Sequence, residues 1–314
     1  SHMAQVLQHS FTLKRNDEDG KKSVSSALFV WNRKREKSEQ LREKIECTIS
    51  NSPAEIAEEC DVVYAMLADP QASIAVAKQF VIGLQKSEDL MKKNGQTVAL
   101  KKTYVEMSTI DKETSEIVKE MIERDGLGEY LSAPVSGGVK DASCGELLIL
   151  AGGSRSAYER CEEDFKAMGK KSWFMGDCVK NATDAKMALQ IMMGGQVALL
   201  AECFAFCEHA GVDGKVWFDV LDLGVMMNPL LKSVGQRMID GVEKKRTWPK
   251  ASFQTYLQQK DLKLAIETAE KINLELPVSA AVHQRYVKTS QKGHAYHDFA
   301  SLRDSYDAPQ TKSA

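Results

Sequence analysis

Neither sign of charge dominates this sequence. Its 42 lysines and arginines are balanced by 44 aspartates and glutamates, which gives a net charge of -2 over 314 residues, and the two signs are interspersed. A nucleic-acid-binding domain more often carries a net positive charge or a stripe of lysines and arginines. We therefore expect no nucleic-acid partner.

Long apolar runs are also missing from the chain. No stretch approaches the roughly 20 apolar residues needed to span a bilayer, and the N-terminus lacks the charged-then-apolar order of a signal peptide. We therefore expect no membrane partner and a cytoplasmic location. A chain of 314 residues that is 43% hydrophobic can bury a large core, and its length predicts two domains.

Cysteines with a diagnostic spacing are absent. The seven cysteines are an odd number and show no CxxC spacing, so neither a disulfide framework nor a structural zinc site is indicated. Cys203 and Cys207 are four residues apart and are expected to pack within a helix, although the same spacing would permit an incidental metal pair. We predict no metal site.

The most informative segment that is present covers residues 131–153, LSAPVSGGVKDASCGELLILAGG. Pro134 stiffens the approach to a turn, Ser136 offers a hydroxyl, and Gly137 and Gly138 expose amides that no side chain shields. Such a turn suits a carboxylate. Taken alone, a proline followed by two glycines is more often only a tight turn between strands, and the neighbouring motifs favour the binding interpretation.

The pattern of apolar residues divides the chain into two parts. Up to residue 181, short apolar segments typical of strands alternate with helical segments, among them ALFVW, DVVYAML, TYVEM and LLILAGG. From Ala182 the apolar residues recur at helical spacing and predict a helix of roughly 25 to 30 residues that ends near Gly211. We therefore predict an α/β domain over 1–181, an all-helical domain over 182–306 and a disordered tail over 307–314.

Three local segments also carry predictions. The polar segments 9–26 and 85–102 are expected to be exposed, the first as a loop and the second as an excursion between two strands. The methionine-rich stripe formed by Met187, Met192 and Met193 is expected to pack in the core.

Six ordered motifs between about Ser26 and Tyr306 together resemble the β-hydroxyacid dehydrogenase family. They are VWNRKREK (30–37), DVVYAMLADP (61–70), YVEMSTID (104–111), APVSGG (133–138), GELLILAGG (145–153) and QKDLKLA (259–265). The pattern is most similar to the glyoxylate and succinic semialdehyde reductases of that family. The resemblance implies a Rossmann-like N-terminal domain followed by an all-helical domain for substrate binding and dimerisation.

The family's first motif is missing. In the family a first strand leads into G-x-G-x-M-G-x-x-M-A-x-x-L, whose backbone amides cradle the cofactor pyrophosphate, but the only glycine here before Gly83 is Gly20. Residues 3–7, MAQVL, resemble the M-A-x-x-L part of the first helix. We therefore expect a truncated start that lacks the first strand and the phosphate loop. The alternative is a divergent N-terminus that binds phosphate in another way.

The resemblance also assigns the reacting groups. Lys186 aligns with the family's catalytic lysine and Gln190 with its asparagine, and positions four apart lie on one face of a helix. Lys186 is expected to donate a proton or hydrogen bond to the developing alkoxide. Ser136, Gly137 and Gly138 are expected to hold the substrate carboxylate, and Gln190 is expected to orient the rest. Without these aligned partners, Lys186 would be interpreted as a solvated helix lysine.

Two residues at the end of the first predicted strand bear on cofactor choice. Asn32 and Arg33 lie where nucleotide-binding folds place the residue that contacts the adenosine ribose, and an arginine there favours the 2′-phosphate of NADP over NAD. Alternatively, Arg33 simply belongs to the basic run at the start of a helix.

Further cofactor contacts are expected at other positions. Met66, Leu67 and Thr109 follow buried strands at the carboxyl edge of the sheet, where open α/β folds place ligands, although Thr109 would serve equally well as a helix cap. Lys260 and Asp261 resemble the family position at the nicotinamide end of the cofactor, and a surface ion pair is the simpler interpretation.

The resemblance therefore implies an oxidoreductase that reduces a small carboxylate-bearing aldehyde, glyoxylate or succinic semialdehyde, to the hydroxyacid. NADP is the expected cofactor, NAD remains an option, and the assembly is expected to be a homodimer or homotetramer. Cofactor binding is expected to be impaired without the phosphate loop. The alternative is a redox-inactive scaffold that uses its helical half for oligomer assembly, as in a nuclear relative whose catalytic lysine is replaced. Lys186 favours the enzyme, and the missing glycine loop favours the scaffold.

Overall fold

The computed structural model of the chain describes residues 3–7, 28–95, 101–243, 247–248 and 251–306. The chain forms two compact units, 1–186 and 187–314. The loop predicted at 9–26 and the tail predicted at 307–314 lie outside the described residues.

Strands and helices alternate through the N-terminal unit, which confirms the predicted α/β class. The strands are β1 (Phe29–Val30), β2 (Thr48–Ile49), β3 (Val62–Ala65), β4 (Lys102–Glu106), β5 (Gly128–Ser132), β6 (Val135–Ser136), β7 (Leu147–Gly153) and β8 (Gly169–Phe174). The helices are α1 (Arg35–Arg42), α2 (Pro53–Glu59), α3 (Pro70–Lys93), α4 (Lys112–Glu123), α5 (Val139–Cys144) and α6 (Arg155–Met168).

The strands form two separate sheets. β1 pairs in parallel with β2, while a six-stranded sheet has the order β3-β4-β5-β7-β6 with β8 beside β7. In the common dinucleotide-binding order, the first strand of the fold lies between the second and the fourth. Within the described ranges no strand joins β1 to β3, so β3 is an edge strand in which Val62 and Val63 are only half-buried. The gap between the two sheets therefore falls between β1 and β3, where the family pattern places its first strand.

Residues 3–7 are helical, as their resemblance to the start of the family's first helix predicts. Met3 and Leu7 are 8% and 4% exposed and belong to a core cluster that includes Val105, Leu131 and Ile149. Because these two residues are four apart, they share one face of the helical turn and pack together against the larger sheet.

The prediction of an exposed excursion at 85–102 is partly wrong. α3 continues as regular helix to Lys93 and ends at Asn94, while residues 96–100 lie outside the described part. The segment is rich in good helix formers, and Lys92 pairs with Glu88 one turn earlier at 2.8 Å between Nζ and Oε1. These local preferences extend the helix although its last turns are mostly exposed.

Helices dominate the C-terminal unit. The long helix α7 (Val179–His209) precedes α8 (Gly214–Leu223), α9 (Pro229–Glu243), α10 (Thr255–Lys271) and α11 (Pro277–Thr289), followed by a π-helical turn (Ser290–His294) and a 3-10 helix (Phe299–Ser305). Their core is a cluster of buried side chains that includes Val197, Phe204, Phe218, Met238, Leu262, Tyr286 and Phe299. The predicted helical region is therefore observed.

The two compact units meet inside α7, after Lys186, and the domain boundary at residue 181 stays a prediction. The first turns of α7 pack on the N-terminal unit: Val179 is 3% exposed in a cluster with Tyr104 and Tyr130. A Cβ atom on Gly152 would lie 3.2 Å from Cβ of Ala182, so this glycine lets the helix approach β7 closely.

α7 bears on two expectations from the sequence, the packing of the methionine stripe and the lack of long apolar runs. Met187 is buried, but Met192 is 61% exposed and does not pack in the core. By length and composition alone the helix could cross a membrane, and 44% of its most apolar stretch is buried inside the protein. The core helix of a soluble protein meets the same criteria of length and composition. The two kinds of helix differ in how much of their surface is buried inside the protein.

Candidate active site

Hydrogen bonds join the loops that follow β3 and β4 at the carboxyl edge of the larger sheet. The Leu67 N–H donates to Ser108 Oγ at 2.6 Å, and the Ser108 N–H donates to Glu106 Oε1 at 3.0 Å. Met66 beside them is 45% exposed, and Thr109 is half-buried. The structure therefore brings Met66, Leu67 and Thr109, three predicted cofactor contacts, to one edge of one sheet.

Thr109 does not cap the next helix. The carboxylate of Asp111 accepts the Thr114 N–H at 2.8 Å and the Thr114 hydroxyl at 2.7 Å, which makes Asp111 the cap of α4. The simpler interpretation of Thr109 as a helix cap is therefore wrong.

Asn32 and Arg33 stand at the end of β1 in the smaller sheet, and both are exposed. Oδ1 of Asn32 accepts the Lys34 N–H at 2.9 Å, which shapes the chain just before α1. Arg33 is positioned as an exposed cation at the carboxyl end of a parallel strand, which is where such folds recognise the adenosine ribose.

The predicted substrate loop follows β6. Gly137 has φ of +140°, and a Cβ there would lie 2.9 Å from Leu147 Cδ2, so only glycine fits. The Gly138 N–H donates to Asp141 Oδ2 at 2.6 Å. One of the two predicted substrate amides is therefore already bound by a carboxylate of its own loop, while Ser136 is half-buried at the end of the strand. The position of Asp141, three residues after the helix cap, was the signal for this contact in the sequence.

Lys186 is buried, with 5% of its surface exposed. A lysine is almost never fully buried unless its ammonium is engaged, so the interpretation as a solvated helix lysine is wrong. Lys180 on the same helix shows the contrast: its side chain is 41% exposed and forms a surface ion pair with Glu116 at 3.0 Å. Burial of this kind is typical of an ammonium that acts on a ligand or holds a site together.

Gln190, Lys260 and Asp261 form one buried polar network in the C-terminal unit. Nε2 of Gln190 donates to Asp261 Oδ2, and Lys260 Nζ lies 3.0 Å from the other carboxylate oxygen of Asp261. Gln258 Nε2 donates to the Gln190 backbone carbonyl at 3.0 Å. One N–H of the Gln190 amide is therefore committed to Asp261, and the amide has a second.

Glu106 is a buried carboxyl group that the sequence analysis did not single out. It is 0% exposed, and burial raises its pKa to about 6, although hydrogen bonds from Ser108 act in the opposite direction. Its second oxygen, Oε2, has no hydrogen-bond partner in the described part of the protein. A glutamate inside the otherwise apolar segment TYVEM was the available signal, because a strand buried on both faces rarely carries a charge.

Comparisons with known proteins agree with this geometry. Residues 22–180 match the family model described as the NAD-binding domain of 6-phosphogluconate dehydrogenase. Residues 181–306 match the model described as NAD-binding of NADP-dependent 3-hydroxyisobutyrate dehydrogenase. The fold and these matches define an NAD(P)-binding oxidoreductase of the Rossmann type.

Two named proteins of similar sequence identify the family to which the chain belongs. The chain is 32% identical over 277 residues to glyoxylate/succinic semialdehyde reductase 1 of Arabidopsis thaliana, covering 88% of each chain. It is 34% identical over 276 residues to the cytokine-like nuclear factor N-PAC of Aedes aegypti, covering 88% of this chain and 46% of that one. The chain belongs to the β-hydroxyacid dehydrogenase family.

Solved structures share the fold. The 3-hydroxyisobutyrate dehydrogenase of Mycobacterium tuberculosis, solved with L-serine, superposes with a TM-score of 0.76 at 20% identity, covering 98% of this chain and 97% of that one. Psf3, solved in complex with NADP+ and 2-OPP, superposes with a TM-score of 0.74 at 18% identity, covering 98% and 96%. The similarity extends over both units.

The raised pKa of Glu106 predicts a pH-dependent stability. Because the pKa rises from the ordinary 4.5 to about 6, the folded protein binds more protons than the unfolded chain between these values. Stability should fall as the pH rises through this window, by about 2 kcal/mol at about 1.4 kcal/mol for each pH unit. Glu106→Gln does not ionise, so its stability relative to wild type should increase by about that amount between about pH 4 and about pH 7.

Urea denaturation at several pH values measures this difference in stability between Glu106→Gln and wild type. Glu159→Gln, at an exposed position on α6, should give a flat difference, and a flat difference for Glu106→Gln would contradict the assignment.

Proposed function

We propose that this protein uses NADPH to reduce a small aldehyde that carries a carboxylate, such as glyoxylate or succinic semialdehyde, to the corresponding hydroxyacid. The observation that carries the proposal is the burial of Lys186 on α7, at the position of the family's catalytic lysine. Relatives that are 31% to 32% identical over at least 88% of the chain are named as reductases of these two substrates.

Several residues of the described structure fit a nicotinamide cofactor. Leu67 and Thr109 lie at the carboxyl edge of parallel strands, and Arg33 supplies an exposed cation suited to the 2′-phosphate of NADP. Lys260 and Asp261 would lie at the nicotinamide end, as in the family pattern. The 314 residues contain no G-x-G-x-x-G motif, the part of the family pattern whose backbone amides hold the pyrophosphate.

In this proposal the bound cofactor supplies the hydride, and the protein positions and polarises the aldehyde. The Lys186 ammonium donates a proton or hydrogen bond to the oxygen on which negative charge develops, which stabilises that charge most strongly in a desolvated place. Ser136, Gly137 and Gly138 hold the substrate carboxylate, and the Gln190 amide, which Asp261 fixes in place, orients the remainder of the substrate.

Lys186→Ala tests the proton role. Turnover of glyoxylate with NADPH should fall by about 10²-fold to 10⁴-fold, because a positioned general acid contributes about that much. The dissociation constant for NADP+, measured by calorimetry, should change by less than about twofold, since the ammonium acts on the substrate. Lys180→Ala, at an exposed position on the same helix, should leave both quantities unchanged. If Lys186→Ala loses NADP+ affinity and keeps turnover per bound cofactor, the assigned role is wrong.

The hydrogen bond between Asp141 and Gly138 provides a second test, of whether the substrate carboxylate binds the Gly138 amide. Because Asp141 binds the Gly138 amide, a substrate carboxylate has to displace it before it gains that hydrogen bond. Asp141→Ala should therefore lower KM for glyoxylate by about tenfold, the effect of about one charge-assisted hydrogen bond, with little change in kcat or in KM for a neutral aldehyde such as propanal. Glu146→Gln removes an exposed negative charge from the same segment without touching the amide. An equal fall in KM for Glu146→Gln would mean that general charge, and not displacement, explains the effect.

We also propose that a second copy of the chain covers an apolar stripe on α7. Leu189, Met192, Leu199 and Phe206 are 40%, 61%, 63% and 73% exposed, and their spacing of three or seven residues places them on one face of the helix. A Cβ on Gly195, which lies within this stripe, would meet nothing within 4 Å. A stripe with this period, containing a residue without a side chain, suits close pairing with another helix.

Leu199→Glu should weaken this association. A charge placed in a buried apolar interface should raise the dimer dissociation constant by about 100-fold or more, seen by analytical ultracentrifugation as a shift towards monomer. Leu90 on α3 is exposed to nearly the same extent, 61%, but lies in the other unit, so Leu90→Glu is the matched control. A wild-type protein that stays monomeric at micromolar concentration, or an equal effect of both variants, would refute the stripe as an interface.

The second candidate function is a redox-inactive scaffold. It is favoured by the similarity to N-PAC and by the missing glycine motif. Binding of NADP+ discriminates between the two, because the scaffold has no use for the cofactor. Binding together with reduction of glyoxylate supports the enzyme, and the absence of both supports the scaffold.

A further inference from the structure

Three loops at the carboxyl edge of the larger sheet meet at one residue, Glu106. Its carboxylate Oε1 accepts the Ser108 N–H at 3.0 Å, and Ser108 Oγ in turn accepts the Leu67 N–H at 2.6 Å. Its backbone carbonyl accepts the Ala133 N–H at 2.7 Å, at the start of the loop that leads to Ser136. One residue thus contacts the loop after β4 and the loop after β5 directly, and the loop after β3 through one hydroxyl.

The surroundings of the Glu106 carboxylate are polar but incompletely paired. In register, Glu106 lies opposite Ala65 of β3 and Ser132 of β5. Glu106 Oε2, Ser132 Oγ and Ser73 Oγ are all buried without a hydrogen bond of ordinary geometry in the described part of the protein, although the Ser73 hydroxyl is near enough to lower the pKa of the Glu106 carboxyl. Buried polar atoms are nearly always paired, so a group of unpaired ones around a carboxyl group is costly for packing alone. A functional role for the carboxylate explains why the arrangement is tolerated.

We propose that Glu106 is a positioning residue for the cofactor edge: as a carboxylate it holds Ser108, and through Ser108 it holds Leu67, in the arrangement that accepts the nicotinamide nucleotide. This proposal rests on the proposed function, because it assumes that the cofactor binds at this edge. An ionised acceptor makes a hydrogen bond about twice as strong as a neutral one, so protonation of Glu106 loosens both contacts.

Among the described residues, few other ionisable groups face the Glu106 carboxyl. The phenols of Tyr104 on β4 and Tyr130 on β5 lie on the same side of the sheet, and burial keeps the pKa of each well above its ordinary range, so both stay neutral. The helices packed on this side contribute hydroxyls, Ser73 from α3 and Ser115 from α4, and Ser115 is hydrogen-bonded to Tyr130 at 2.9 Å. The raised pKa of Glu106, about 6, then places the change in charge within reach of mild acid.

The ligand-free protein gives the first measurement. The backbone amide shifts of Ser108 and Leu67, followed by NMR from about pH 5 to about pH 7.5, should change together with a shared midpoint that reports the Glu106 carboxyl. In Glu106→Gln both shifts should stay constant, whereas Glu106→Asp keeps a titrating carboxyl and should keep a step. Glu159→Gln, at an exposed position on α6, should behave as wild type. Amides that do not titrate in wild type, or that titrate equally in Glu106→Gln, would overturn the proposal.

The second measurement is the affinity for NADP+, which is stable in acid. Between about pH 7.5 and about pH 5, wild type should lose about fivefold more affinity than Glu106→Gln, the size expected when a charge-assisted hydrogen bond becomes a neutral one. The 2′-phosphate of NADP+ also titrates, but it affects the affinity of both proteins equally. Its effect therefore cancels when the loss of affinity in wild type is compared with the loss in Glu106→Gln. An equal loss of affinity in the two proteins contradicts the positioning role. If NADP+ binds neither protein at any pH, the proposed function fails, and the amide shifts alone decide whether Glu106 controls the loops.

Discussion

The parallel register of β3, β4 and β5 is the constraint on which the carboxyl edge depends. Ala65, Glu106 and Ser132 lie opposite one another, so the three loops that follow start at one level. Parallel strands need crossover helices, and these return the chain so that every strand ends at the same edge. Leu67, Ser108 and the loop before Ser136 become neighbours although they are far apart in the sequence. A shift of one residue in any of these pairings would turn the Glu106 side chain to the opposite face.

The helix α7 imposes a second constraint. Its 31 residues carry Lys186 and Gln190 one turn apart, so the separation between these two side chains is fixed by helix geometry. Its first turns pack against the N-terminal core through Val179, and later turns contribute Val197 and Phe204 to the C-terminal core. Lys186 is therefore held by a long regular helix, and its position does not depend on the order of a loop.

The period of the apolar residues made much of the fold predictable from the sequence. The alternation of strands and helices and the long helix near Ala182 follow from local patterns, and the structure confirms them. The helical continuation of α3 to Lys93 was missed because a polar composition suits both a loop and an exposed helix. The exposure of Met192 was missed because spacing identifies a face of a helix and does not identify what covers it.

The polar partners within the candidate site were less predictable, because they depend on which residues the fold brings together. The sequence indicated Lys186 and Gln190 through their alignment and spacing, but the bond from Gln190 to Asp261 joins residues on two helices. Asp141 was adjacent to the predicted loop, yet its hydrogen bond to Gly138 depends on the backbone conformation at Gly137. Local spacing therefore identifies candidate residues, whereas tertiary structure decides which of their donors are already used.

These preformed contacts bear on how a substrate would bind. Gly138 is exposed, so its amide N–H would bond to water if Asp141 did not accept it, and the bond to Asp141 replaces that water before a ligand arrives. With Asp141 in place, the incoming carboxylate exchanges one anionic acceptor for another, and the net gain in hydrogen bonding is small. Affinity for the substrate would then depend on the groups that are not already paired within the loop. The same reasoning applies to Gln190, whose bond to Asp261 fixes the amide before any ligand arrives and removes much of the entropy cost of ordering it.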